Sequence, residues 1–138
     1  MPIQEDTIAI AVVDDDPDVR KALARLLSAL GYRAECFASA EEFLSAAPTS
    51  KATCLIVDCN LLDMSGLELA RRLSTAGFDF PIIFVTGSAD DTVRIQCMAV
   101  GCVAFLHKPF PKDRLMDAIK KATQSTVQHD RADPQIII

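Results

Sequence analysis

The sequence predicts an α/β domain in which five parallel strands form one sheet with helices on both faces. Three observations predict it. Short apolar runs recur at 8–13, 53–58 and 81–86, each too continuous for a half-exposed strand and suited to burial on both faces. Segments with helical apolar spacing alternate with these runs. Each run also ends on a polar residue: Asp14 and Asp15 after the first, Asp58 and Thr86 at the ends of the other two.

IAIAVV (8–13) is the first strand, and PDVRKALARLLSALG after it reads as a helix with Val19, Leu23, Leu26, Leu27 and Leu30 on one face. Asp16 is placed to cap that helix, Pro17 suits its first position and Gly31 its end. RAECF (33–37) is a weaker strand. A short helix starts after Ser39, with Glu42 three residues on in a capping-box pattern. TCLIVD (53–58) is the third strand, and a helix from about Ser65 to Ala76 closes at Gly77. PIIFVT (81–86) is the fourth strand, 90–100 a helix, CVAFL (102–106) the fifth strand. The last helix, 111–124, carries Leu115, Ile119 and Ala122 at helical spacing. The polar stretch STVQHDRADP from Ser125 to Pro134 reads as a tail or the start of a linker, so the domain is expected to occupy 1–124 and the tail 125–138.

Composition narrows the function. Half of the 138 residues are hydrophobic, enough for one domain with a real core. The net charge of −5 argues against this domain gripping nucleic acid directly, which takes clustered Lys and Arg. No apolar run approaches the ~20 residues of a membrane span. The acidic start MPIQEDTIAI does not look like a signal peptide, so the expected compartment is the cytoplasm, with no membrane partner. The five cysteines, Cys36, Cys54, Cys59, Cys97 and Cys102, form no CxxC pair and read as reduced core residues, not zinc ligands.

In an open parallel sheet, ligands bind beyond the carboxyl ends of the strands. Asp14, Asp15, Asp58, Thr86 and Lys108 all fall at such ends, Lys108 followed by Pro109. Carboxylates gathered at one spot repel unless a hard cation neutralises them, and Mg²⁺ takes a few carboxylate oxygens with water and phosphate. One carboxylate can attack a phosphoryl group, while an ammonium and a hydroxyl hold the phosphoryl oxygens. The set therefore points to a phosphoryl site. Asp16 is better explained as a helix cap, Asp63 as a solvated loop residue, and His107 and His129 as residues without a chemical role.

With these pieces, VVDDDPDVR (12–20), LIVDCNLLDMSGLEL (55–69), IIFVTG (82–87) and FLHKPF (105–110), the chain resembles the receiver domains of two-component response regulators over roughly residues 6–124. The intervals of 44, 28 and 22 residues between Asp14, Asp58, Thr86 and Lys108 look like those of the nitrogen-fixation regulator group, whose receivers usually precede a DNA-binding helix-turn-helix domain. The resemblance implies a flavodoxin-like, doubly wound (βα)5 three-layer sandwich with strand order 2-1-3-4-5. It makes Asp58 the phosphoacceptor and Asp14, Asp15, Asp58 and the Asn60 backbone carbonyl the ligands of Mg²⁺, with Mn²⁺ as a substitute. It gives Thr86 and Lys108 the phosphoryl group, Phe105 the role of switch aromatic, and a cis bond to Pro109. Gly87 and Ser88 complete the threonine motif, and Asn60 and Ser88 tune hydrolysis.

The function implied is a signalling switch, not an enzyme, although the domain assists its own phosphorylation and dephosphorylation. Its partners would be a sensor histidine kinase or phosphotransfer protein, and a second copy through the face of the fourth helix, fifth strand and fifth helix; its output would include transcription. Leu62 and Cys59 depart from the family pattern, which commonly has proline at the former position. Two alternatives compete. A haloacid-dehalogenase-type phosphatase would use Asp14, Asp16, Thr86 and Lys108, but leaves Asp58 unexplained. A receiver-fold binding module without phosphorylation would not need all five site residues.

Overall fold

The computed structural model describes residues 7–87 and 91–137, with side chains to residue 124. The elements alternate as the apolar pattern requires: β1 (Ala9–Val13), α1 (Pro17–Ala29), β2 (Arg33–Phe37), α2 (Ala40–Ala46), β3 (Ala52–Asp58), α3 (Gly66–Thr75), β4 (Ile82–Thr86), α4 (Asp91–Ala99), β5 (Ala104–His107) and α5 (Lys112–Ile137). The sheet order is β2-β1-β3-β4-β5, every pairing parallel.

That order explains which strands are apolar. β1 and β3, in the middle, are buried almost throughout, whereas the edge strands β2 and β5 are partly exposed. Successive side chains on a strand point to opposite faces, and two cores result. Ile10, Val12, Cys54, Ile56, Ile83 and Val85 pack with Leu23 and Leu27 of α1 and Leu115 and Ile119 of α5. Ala11, Val13, Leu55, Val57 and Phe84 pack on the other face with Phe43 of α2, Leu69 and Leu73 of α3 and Cys97 of α4. Burying each Val, Leu, Ile or Phe side chain among them stabilises the fold by roughly 1.5–3 kcal/mol relative to leaving it in water. A charge placed at any of them would cost at least as much.

The helix ends follow local chemistry. The Asp16 carboxylate accepts from the Asp18 N–H at 2.9 Å, Pro17 opens α1, and Gly31 leaves it with φ +93°. At α2 the Ser39 hydroxyl accepts from the Glu42 N–H at 3.1 Å, while Glu42 reaches back to the Ala38 N–H at 3.2 Å, one residue beyond the Ser39 N–H that a standard box would engage. Two expectations differ from the structure. β5 begins at Ala104, not at 102, because Gly101 turns the chain with φ +84°. The last helix does not stop at 124: its backbone continues through the polar stretch to Ile137. Polarity marks the loss of a packing face, whereas helix continuation rests on backbone hydrogen bonds.

Candidate functional site

β1 and β3 are neighbours, but α1 leads outward to β2 and α2 leads back to β3, so the strand order reverses between them. This switch point leaves a crevice at the carboxyl edge of the sheet. Asp14 and Asp15 follow β1 on one side of it, and Asp58 ends β3 on the other. One carboxylate oxygen from each of Asp14, Asp15 and Asp58 lies within 4.8 Å of the other two. Asp14 is 3% exposed and Asp58 9%.

The surrounding chain orients these groups. Asp14 Oδ1 accepts from the Asp16 N–H at 2.9 Å, and Arg20 donates to the Asp14 carbonyl at 2.8 Å from one turn into α1. Asp58 Oδ1 accepts from the Asn60 N–H at 3.2 Å. The Lys108 ammonium reaches Asp14 Oδ2 at 3.4 Å and Asp58 Oδ2 at 3.7 Å. Its backbone N–H donates to the Thr86 carbonyl at 2.7 Å, tying the end of β4 to the end of β5. Thr86 is fully buried at that edge, and the Lys108–Pro109 bond is cis.

Three carboxylates against one ammonium leave a formal charge of −2. At 4 Å, unit charges near a protein surface interact by about 4 kcal/mol, so lysine alone offsets only part of the repulsion. Burial, opposed by the Asn60 N–H, pushes the Asp58 carboxyl above its ordinary value; Asp14 and Asp15 push it further and Lys108 pulls it back. The donor set, hard oxygens at an excess of two negative charges, fits a hard divalent cation. In the loop beyond Asp58, Asn60 pairs with Ser65 in an isolated antiparallel bridge.

The other candidate residues lie at this edge and beyond it. Phe105 is half-buried, pairs in register with Phe84 and packs on the α2–α3–α4 side. His107 is exposed and pairs with Thr86. Gly87 is exposed, and a Cβ there would meet nothing within 4 Å, so its backbone does not demand glycine. Ser88 lies outside the described residues. Asp16 is accounted for as a cap of α1.

Four findings correct or extend the sequence expectations. Cys54, Cys59 and Cys97 are core residues, but Cys36 is exposed. The Cys59 thiol is buried in the core, 4.0 Å from the Cys97 sulfur, and burial pushes it well above the ordinary thiol range. Asp63 is not merely solvated, because its carboxylate accepts from the Ala40 N–H at 3.3 Å and the Glu41 N–H at 2.9 Å. These partners are 23 and 22 residues away, so no local signal announces them. Arg20 was equally hidden, one basic residue among several on α1. A groove of about 500 Å³ lined by Leu73, Phe78, Phe80 and Cys102 lies at the other edge of the sheet and contains none of these groups.

Among the described residues no helix is long and apolar enough to cross a membrane. Residues 10–120 match the family model of the response regulator receiver domain. The response regulator protein TmoT of Ectopseudomonas mendocina is 37% identical over 127 residues, 92% of this chain and 58% of its own length. The transcriptional regulatory protein FixJ of Rhizobium meliloti is 36% identical over 118 residues, 86% of this chain and 58% of its own. The chain thus spans under two thirds of these curated relatives. Among solved structures, the crystal structure of FixJ-N superposes with a TM-score of 0.80 at 36% identity, covering 85% of this chain and 94% of that one. With the acidic crevice, the paired lysine and these likenesses together, the chain belongs to the response regulator receiver domain family of signalling proteins.

Proposed function

We propose that this domain is a phosphorylation switch in which Asp58 accepts a phosphoryl group from a sensor histidine kinase or phosphotransfer protein in the cytoplasm. The observation that carries the reading is the convergence of Asp14, Asp15, Asp58 and Lys108 on one crevice. Asp14, Asp15, Asp58 and the Asn60 carbonyl would hold Mg²⁺, with Mn²⁺ able to replace it. When bound, the ion supplies charge neutralisation at the phosphoryl oxygens.

An Asp58 carboxylate oxygen attacks phosphorus as the P–N bond of the phosphohistidine breaks. The imidazole nitrogen leaves with the electron pair, and an acyl phosphate remains on Asp58. Lys108, already facing Asp58, pairs with the incoming oxygens and offsets their charge. Thr86 lends its hydroxyl to the same group. Water later cleaves the acyl phosphate, restoring the carboxylate and releasing inorganic phosphate. The domain thus assists its own modification and reversal without turning over a separate substrate.

Drawing Thr86 toward the phosphoryl group would give Phe105 room to move and bias the surface of α4, β5 and α5 toward a second conformation. That face would pair with a second copy or an output partner, and the relatives' names make transcriptional control the favoured output. The phosphatase alternative loses support because Asp16 is engaged as a helix cap and cannot serve as its second carboxylate. The inert-module alternative loses support because all five residues meet at one edge.

The test is incubation with Mg²⁺ and acetyl phosphate followed by mass spectrometry of the intact protein. A gain of one phosphoryl group that disappears in Asp58→Asn supports the switch. A gain that survives in Asp58→Asn and disappears in Asp14→Asn would support the phosphatase. Absence of both modification and Mg²⁺ binding would support the inert module.

A further inference from the structure

The loop from Asp58 to α3 carries a metal ligand of the proposed site at Asn60, so its placement decides where that carbonyl points. Its next exposed residue does nothing to hold it: Leu62 is 90% exposed. The loop is held at its base, where Leu61 is buried and the Gly66 N–H donates to the Cys59 carbonyl at 2.9 Å. Its outer half is held by Asp63, whose two oxygens take separate N–H groups at the start of α2, Ala40 at 3.3 Å and Glu41 at 2.9 Å. An N–H and a carboxylate make a charge-assisted bond, stronger than a neutral one. Partial burial pushes the Asp63 carboxyl up, yet the N–H groups of Glu41, Ala40, Asp63 and Met64 together hold it below its ordinary value.

The same helix end has a second cap. The Ser39 hydroxyl accepts from the Glu42 N–H at 3.1 Å, within the α2 segment itself. Two side chains therefore stabilise one helix start, and only one of them belongs to the phosphoacceptor loop. We propose that Asp63 is a positioning residue: by clasping the start of α2 it fixes the Asp58–Ser65 loop and thereby the Asn60 carbonyl beside Asp58. The inference rests on the assignment of Asn60 under the proposed function, but the clasp itself can be tested without metal.

Asp63→Ala, Asp63→Asn and Ser39→Ala separate positioning from simple helix capping, because both sites cap α2 and only Asp63 holds the loop. Amide hydrogen exchange in metal-free protein is the first measurement. Asp63→Ala should raise exchange at Ala40, Glu41 and residues 60–64, and Ser39→Ala only within α2. Mg²⁺ titration by calorimetry is the second. Asp63→Ala should weaken Mg²⁺ on the order of tenfold, as lost outer supports of metal ligands do. Asp63→Asn, which keeps one acceptor oxygen, should fall between, and Ser39→Ala should stay within about twofold of wild type.

Equal Mg²⁺ losses in Asp63→Ala and Ser39→Ala would reduce Asp63 to a helix cap, and unchanged exchange at 60–64 in Asp63→Ala would overturn the clasp. If wild type itself bound no Mg²⁺, the assignment of the site would fall, while the exchange data would still decide the clasp.

Discussion

Asp58 and Asp63 are five residues apart, yet their surroundings push them in opposite directions. Asp58 closes a buried strand, where burial and the Asp14 and Asp15 carboxylates raise its pKa despite Lys108 and the Asn60 N–H. Asp63 stands in an exposed loop, where desolvation raises its pKa but four backbone N–H groups together outweigh it and lower it. The first is a charge the fold tolerates at a cost, as expected of a group kept for chemistry. The second is a charge the fold has satisfied, as expected of a group kept for structure. The same side chain serves either purpose, and local hydrogen-bond donors decide which.

Gly66, at the junction of strand and loop, is the place to break this arrangement most severely. A Cβ there would sit 2.7 Å from the Asp58 carbonyl oxygen, 3.0 Å from Val57 Cγ1 and 3.2 Å from Cys59 Cα. Two of those neighbours are backbone atoms and cannot rotate aside. Gly66→Ala should cost about 2–3 kcal/mol in urea unfolding and displace the loop, so an unchanged midpoint would show that the junction is looser than its geometry. Next in size is the metal. Asp15→Asn should weaken Mg²⁺ at least tenfold, about 1.4 kcal/mol; an unchanged affinity would mean that the ligand assignment is wrong.

The comparison itself is sharpened by pH. For Asp58 the folded pKa is raised, so the folded state binds the proton more readily. Its contribution to stability is present below the ordinary carboxylate pKa of about 3.9 and is lost as pH rises through the folded value. Asp58→Asn should therefore stabilise the metal-free protein at pH 7, with the gain fading in acid. For Asp63 the sign reverses. Its contribution is present above the ordinary value and lost as pH falls through the lowered one, so Asp63→Asn should destabilise at pH 7 by about 0.5–1 kcal/mol after allowance for solvent screening. Denaturant midpoints measured from pH 3 to 7 give both curves, and two curves of the same sign would refute the contrast. Smallest of all, Leu62→Ser should leave stability within about 0.5 kcal/mol, because its side chain touches little.

Much of this was legible in the chain itself. Continuous apolar runs identify β1, β3 and β4 because strands covered on both faces cannot alternate with polar residues. Asp16-Pro17 and Ser39 with Glu42 mark helix starts because a capping bond spans only two or three residues. Polar residues at strand ends locate the crevice because a parallel sheet brings all its carboxyl ends to one edge. Local pattern failed in two places, where composition masked the backbone course and where the cause was not local. The helical course of 125–137 was hidden behind a polar composition, and the exposure of Cys36 depends on β2 lying at the sheet edge.

By itself, then, the sequence determined the order of strands and helices and which residues stand at the carboxyl edge, because apolar period, caps and spacing are properties of neighbouring residues. Tertiary structure alone decided that Lys108 meets Asp14 across 94 positions at 3.4 Å, that Cys59 turns into the core, and that Asp63 holds α2. Each of these is set by which surfaces pack together, and burial and hydrogen-bond partners drawn from distant segments exist only once they have.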